Sequence, residues 1–267
     1  DPPLFWTRLG ADPFGDFLAD RLAGEGVATD LVERDADART GLAFVSLAAS
    51  GERAFTFYRN GSADTRLDPD RAGEISLDGV DWVHVGGVLL ADEPARSATL
   101  RLARRASRAG ITVSFDPNAR PELWTDYDYG PSVRTMFGLA DVVKVSPDDL
   151  AGAGFAADAD PVDLVAAVQE AGPHTVLLTL GGDGAFAVSE GAWPGPEAVR
   201  HPGYDVETVD TTGAGDAFLA GAVAALRAGE PLDETVAFAN AVAALTTTER
   251  GAVETMPTRA AVRAFRT

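Results

Sequence analysis

Residues 207–221 read Glu-Thr-Val-Asp-Thr-Thr-Gly-Ala-Gly-Asp-Ala-Phe-Leu-Ala-Gly. A β-prone run, Glu207 to Val209, meets a Gly-rich turn. The turn opens an apolar helical pattern over Ala217, Phe218, Ala220, Gly221, Val223, Ala224 and Leu226. Gly213 and Gly215 have no Cβ, so the backbone there can bend sharply and come close to a ligand. The first amides of a helix lack intrahelical partners and lie at the positive end of its dipole. Such a turn is a ready anion site. Asp216 stands inside it. A carboxylate in that field can stay ionised and accept a proton from a hydroxyl beside the bound anion. Anion hole plus adjacent base is what phosphoryl transfer to an alcohol requires.

Other segments carry chemistry of the same kind. Asp116-Pro117-Asn118-Ala119-Arg120 follows an apolar run that reads as a buried strand. Ligands of open α/β sheets bind beyond the carboxyl ends of strands, which puts Asp116, Asn118 and Arg120 where a ligand would sit. Asp-Pro-Asn is equally a common turn sequence. Lys144-Val-Ser-Pro-Asp-Asp149 offers two oxygen donors, Ser146 and Asp149, of the type that hard cations and water accept. Thr179-Leu-Gly-Gly-Asp-Gly184 is a Gly-rich turn that a plain hairpin would also show.

The elements that must position these groups alternate in type. Helical patterns run over residues 13–22, 94–109, 131–139, 162–171, 214–226, 233–247 and 258–265. Strand-like runs occupy 80–85, 111–115, 142–145, 176–179 and 185–189, with a further piece near Thr208. Two more, 40–48 and 53–59, flank Ala-Ser-Gly-Glu and read as a hairpin inserted early in the chain. Residues 191–202 read as a loose Pro/Gly-rich connection. Strands alternating with helices predict a parallel sheet covered on both faces.

Composition narrows the partners. The 267 residues suffice for one large α/β core. Net charge is −19, from 41 acidic against 22 basic residues, and Lys144 is the only lysine. Acid spread along the whole chain argues against nucleic acid or an anionic membrane as partner. It resembles the acidic surfaces of proteins from salt-loving organisms. There is no cysteine, which excludes disulfides, thiolate metal sites and cysteine nucleophiles. No apolar run of about 18 residues and no signal-peptide pattern occurs, so a cytoplasmic location is expected.

The run at 210–218, Asp-Thr-Thr-Gly-Ala-Gly-Asp-Ala-Phe, matches the second signature of the ribokinase-like sugar kinases, the pfkB family. The resemblance covers nearly all of the chain. It implies Asp216 as catalytic base, and the amides of Gly213, Ala214, Gly215 and Asp216 as the hole for the transferred phosphoryl group. Asp210 and Thr212 resemble positions that hold a monovalent cation, such as K⁺, under the turn. The stretch from Asp116 to Trp124 resembles Asp-Pro-Asn-x-Arg-x-x-Leu-Trp of fructokinases and 2-keto-3-deoxygluconate kinases, which makes Asn118 and Arg120 substrate residues. Ala119 replaces a bulkier residue there. Tyr58 and Arg59, followed by Ser62 and Ala63, resemble the same two groups. Residues 40–65 then form a small β-lid that closes over the sugar and offers a homodimer contact. Phe57 stands where ketodeoxygluconate kinases often place a Tyr for the acid's carboxylate. Phe has no hydroxyl to give, which leans toward a neutral ketose. Phe55 reads as lid core.

Residues 144–149 take the place of the family's Asn-x-x-Glu motif, with Ser146 and Asp149 as the pair. That implies Mg²⁺ held through water at Asp149 and departs from the usual pattern. Lys144, Ser146, Thr179, Gly181, Gly184 and Asn240 fall on the nucleotide side. Asn240 and residues 247–252 match the adenine and cation-loop region, though 246–248 equally read as a frayed helix end. Family members open on an Asp-bearing strand followed by Gly-Gly-x-x-x-Asn. The present sequence starts on what resembles the stretch after it, so that first strand is expected to be missing here. The resemblance implies a ribokinase-like three-layer α/β sandwich over residues 1–267, with a mainly parallel central sheet. It implies transfer from ATP, with Mg²⁺, to fructose first, then 2-keto-3-deoxygluconate, ribose or a nucleoside. The alternative from another class is a sugar- or nucleotide-sensing protein on the same fold without turnover.

Overall fold

The computed structural model describes residues 3–47 and 53–267. It divides into two compact units, Asp1–Ile111 with Arg120–Ser132, and Thr112–Ala119 with Val133–Thr267.

In the first unit, β1 (Thr7–Gly10) pairs in parallel with β2 (Val32–Asp35). Helix α1 (Pro13–Gly24) lies between them in sequence, with Pro13 in its first turn, where a missing N–H costs nothing. Asp12 caps α1, accepting from the Phe14 and Gly15 amides at 3.1 and 2.9 Å. Its other oxygen accepts from the Thr40 amide at 2.8 Å. Phe14 and Phe17 of α1 point outward, 56% and 65% exposed, so the spacing that marks the helix does not mark a buried face here. β3 (Leu42–Leu47) and β4 (Arg53–Tyr58) pair antiparallel, Leu42 opposite Tyr58, as the expected hairpin. Its Ala-Ser-Gly-Glu connection and the Phe55 side chain lie outside the described residues. α2 (Pro69–Glu74), β5 (Trp82–Gly86) and α3 (Ala95–Arg108) complete the unit. Leu67, Ala72, Ala95 and Ala98 form a core cluster under Trp6, Leu89 and Leu102.

The second unit carries the larger sheet. β6 (Thr112–Asp116), β7 (Val142–Val145) and β8 (Thr175–Thr179) run in parallel. β9 (Ala185–Ser189) and β10 (Ala198–His201) continue it antiparallel, so the sheet is mixed. Every residue of β7 is buried, as a strand covered on both faces must be. Its helices are the part of α4 (Tyr129–Phe137) from Val133 on, α5 (Pro147–Gly152), α6 (Pro161–Gln169), α7 (Ala214–Leu226), α8 (Leu232–Thr246) and α9 (Arg259–Phe265). Phe115 of β6 meets Phe137 of α4 edge-on at 6.0 Å in the core. α7 and α8 pack closely because Gly221 is small. A Cβ there would come within 3.1 Å of the Ala239 Cα.

Two expectations are corrected. Residues near Thr208 form no strand. The Val209 and Asp210 amides instead donate to the Thr247 carbonyl, at 2.8 and 3.1 Å, one of the carbonyls a helix end leaves unpaired. The 191–202 segment is not a loose connection throughout, since it contains β10, whose Val199 registers with Ala187. Its Pro and Gly residues hid a strand only four residues long. Among the described residues, no helix is long and apolar enough to cross a membrane.

Candidate active site

Gly213 is the residue before α7 and adopts φ 78°, ψ 0°. That left-handed conformation strains any residue with a Cβ, which accounts for the glycine. The chain then turns into α7 with Asp216 exposed in its first turn. The turn is tied down from below. Asp210 Oδ1 accepts from the Thr212 amide at 3.0 Å and the Thr212 hydroxyl at 2.7 Å. Asp210 Oδ2 accepts from the Gly251 amide at 3.2 Å. The two expected cation residues thus stand together, and their contacts knit the 210–213 turn to the loop after α8.

The sheet brings a second group to this turn. Lys144 projects from β7 with its side chain 7% exposed, and its Nζ donates to Asp116 Oδ2 at 3.1 Å. A Cβ built on Gly215 would lie 3.0 Å from that Nζ, so the ammonium sits directly against the turn that opens α7. Burial pushes the Asp116 carboxyl up to about 6; Lys144 opposes the shift, and the Asp149 and Asp216 charges add to it.

Ser146 caps α5 reciprocally with Asp149. The Ser146 amide and hydroxyl donate to Asp149 Oδ2 at 2.8 and 2.7 Å. Asp149 Oδ1 accepts from the Ala119 amide at 2.7 Å. One buried carboxylate therefore joins α5 to the Asp-Pro-Asn turn. That turn contains Asn118 at φ 44°, with its amide donating to Asp116 Oδ1 at 3.1 Å. Among the described residues Asn118 is the only non-glycine with positive φ, and backbone strain of this kind clusters at functional sites.

The remaining residues of this unit stand at more local tasks. Thr179 donates to the Val145 carbonyl at 3.2 Å, which sets the end of β8 beside the end of β7. Gly181 and Gly184, at φ 62° and 81°, shape the β8–β9 turn. A Cβ on Gly184 would be 2.0 Å from the His201 carbonyl oxygen, so that position needs glycine for the sheet alone. Asn240 is buried in α8 and donates to the Val236 carbonyl at 2.9 Å.

In the first unit, Arg120 is half-buried at the start of a short turn, Pro121–Leu123. Tyr58 is 66% exposed and meets Phe44 edge-on. Arg59 differs from its neighbour, being only 8% exposed and bound to Asp64 and Asp92. Asp92 also lines a cavity of about 560 Å³ with Asn60, Thr65, Arg66 and Tyr127. Sequence reasoning missed both ion pairs. Asp116 and Lys144 are 28 residues apart, Arg59 and Asp92 33, and no local spacing links them.

Against known proteins, the model of the pfkB family carbohydrate kinases matches residues 3–259. The chain belongs to that family. It is a phosphotransferase acting on a sugar hydroxyl. This pfkB-family kinase is 36% identical to a fructokinase of Vibrio alginolyticus over 266 residues, covering 96% of this chain and 82% of that protein. It is 38% identical to fructokinase-1 of Zea mays over 271 residues, covering 97% and 80%. Its fold matches the fructokinase of Vibrio cholerae O395 crystallised with fructose, ADP and calcium. The TM-score is 0.87 at 34% identity, over 99% of this chain and 85% of that one. The fructokinase of Xylella fastidiosa with bound ATP gives 0.85 at 32%, over 98% and 84%. The kinase therefore has the ribokinase-like α/β fold with a central mixed sheet.

Proposed function

We propose that this kinase transfers the γ-phosphoryl group of ATP to a hydroxyl of a neutral ketose, fructose. The observation that carries the reading is the turn itself: Gly213 left-handed, α7 opening behind it, and Asp216 exposed in the first turn. The 213–216 amides point at where charge develops on the phosphoryl group. Asp216 takes the proton from the attacking hydroxyl. Asn118 and Arg120 act on the acceptor; Ser146, Thr179, Gly181, Gly184 and Asn240 line the nucleotide side. The fructokinase relatives, and the fructose, ADP and ATP in the crystals of two of them, support the choice of substrates.

Among the described residues no cluster of three or more acidic or histidine side chains could hold a metal. The donor set fits Mg²⁺ carried in with the nucleotide, which keeps most of its ligands as water and phosphate. Asp149 would hold it through water, and the ion would neutralise phosphate charge. Asp210 and Thr212 would hold K⁺ beneath the turn. The β3–β4 pair, with Phe44, Val45 and Tyr58 exposed, fits a lid that excludes water and a surface for self-association. A kinase fed by ATP belongs in the cytoplasm, and the acidic surface suits high salt.

Asp216→Asn tests the reading. It should leave the fold and ATP binding intact and lower kcat by about 10²–10⁴, the usual contribution of general base catalysis. Turnover within about threefold of wild type would reject Asp216 as base. A panel of fructose, 2-keto-3-deoxygluconate, ribose and nucleosides identifies the acceptor, and turnover of none of them would favour a sensing protein.

A further inference from the structure

Asp116 takes no part in the transfer described above, yet it is 3% exposed at the end of β6, beneath the anion turn. β6 and β7 are in parallel register, Ser114 opposite Val142 and Phe115 opposite Val143. One step further on, Asp116 and Lys144 lie side by side. A lysine stem is flexible, and a buried ammonium with no partner either moves to water or loses its proton. The two contacts to Asp116, at 3.1 and 3.4 Å, hold it in place.

The choice of lysine is itself informative. Of 22 basic residues the chain uses lysine once, here. The ammonium is compact, whereas a guanidinium is a wide planar fork. A Cβ on Gly215 would lie only 3.0 Å from Nζ, so the compact ammonium occupies the space that the glycine leaves open. The charge is placed beside Gly215 in the turn that opens α7. The Asp116 carboxylate that holds it in turn feels the charges of Asp149 and Asp216.

We propose that Asp116 is a positioning residue that holds the Lys144 ammonium against Gly215, where its charge joins the 213–216 amides in binding the transferred phosphoryl group. This rests on the reading that the turn receives that group. Lys144 then contributes fixed positive charge inside a water-poor site, where such charge is most effective.

The test uses kinetics and one spectroscopic signal. Lys144→Met should lower kcat by about 10²–10³, as loss of one anion-hole donor does. Asp116→Asn should lower kcat by roughly tenfold with the sugar KM nearly unchanged. In the Lys144→Met background Asp116→Asn should add less than about twofold, because coupled residues do not act additively. Equal losses in both backgrounds would overturn the proposal. Because Lys144 is the only lysine, protein carrying ¹³Cε-lysine gives a single side-chain resonance. ADP with aluminium fluoride, a mimic of the phosphoryl group in transfer, should move that resonance in wild type and move it far less in Asp116→Asn. A resonance that ignores the mimic would also overturn the proposal, and this readout stands even where Lys144→Met fails to fold. If Asp216→Asn abolishes turnover and Lys144→Met does not, this inference alone fails. If Asp216→Asn turns over normally, the underlying reading fails.

Discussion

The Arg59 guanidinium donates from Nη1 to Asp92 Oδ2 at 2.6 Å and from Nε to Asp64 Oδ2 at 2.5 Å. The resemblance puts Arg59 on a motif shared with two sugar-kinase groups; in the structure its side chain is buried and its charge is matched by two carboxylates. Burial nevertheless holds the Asp92 carboxyl above its ordinary value, despite the Arg59 charge beside it. A pair of this kind adds little by existing and costs much when half of it is removed.

Arg59→Ala should therefore destabilise the protein. Breaking a fully buried pair costs roughly 3–5 kcal/mol. Asp64 and Asp92 are 28% and 30% exposed, so water takes up part of their charge and about 2 kcal/mol is expected here. Urea unfolding measures it. An unchanged midpoint with a raised sugar KM would return Arg59 to the acceptor.

Asp12 makes stability depend on acid. The Thr40 and Gly15 amides, which donate to it, lower its carboxyl from 3.8 to about 2. As pH falls, the unfolded chain takes up this proton before the folded one does. The contribution is complete above pH 4 and is lost as pH falls toward 2. Asp12→Asn should be less stable than wild type at pH 7, and the gap should close between pH 4 and 2 in unfolding followed by circular dichroism. A gap constant with pH would mean that the ionised carboxylate is not what the amides favour.

Asn118 holds a left-handed backbone at φ 44°. Asn118→Ala should cost about 1 kcal/mol, since alanine lacks the short polar side chain that lets asparagine tolerate this conformation, whereas Asn118→Gly should keep the melting temperature. If Asn118→Gly is as stable as wild type but turns over slowly, the side chain itself works on the ligand. Normal kinetics in that variant would make Asn118 a turn residue only.

A net charge of −19 repels itself in the compact state. Salt shortens the screening length from about 10 Å at 0.1 M to about 3 Å at 1 M. The melting temperature should climb between 0.1 and 2 M KCl, and further in KCl than in NaCl where Asp210 and Thr212 hold the cation. A flat or falling curve would mark the acid as ordinary surface composition.

Helix α7 is legible in the sequence to its last residue, because a Gly-rich turn followed by apolar spacing is a local signal and the backbone obeys it locally. The turn at Gly213 and the place of Asp216 in it are legible for the same reason, since both lie within ten residues and need only each other. The partners of Lys144 and Arg59 are not. Asp116 reaches Lys144 only through the register of β6 on β7, and that register is set by the packing of Phe115, Val143 and their neighbours in the core. Val209 bonds to the end of α8 instead of to a strand, although its own propensity is for β structure. Residue type and spacing decide which chemistry a segment can perform. Which distant charges share a site, and which are neutralised out of reach, is decided by the cooperative burial of apolar surface that brings the strands together.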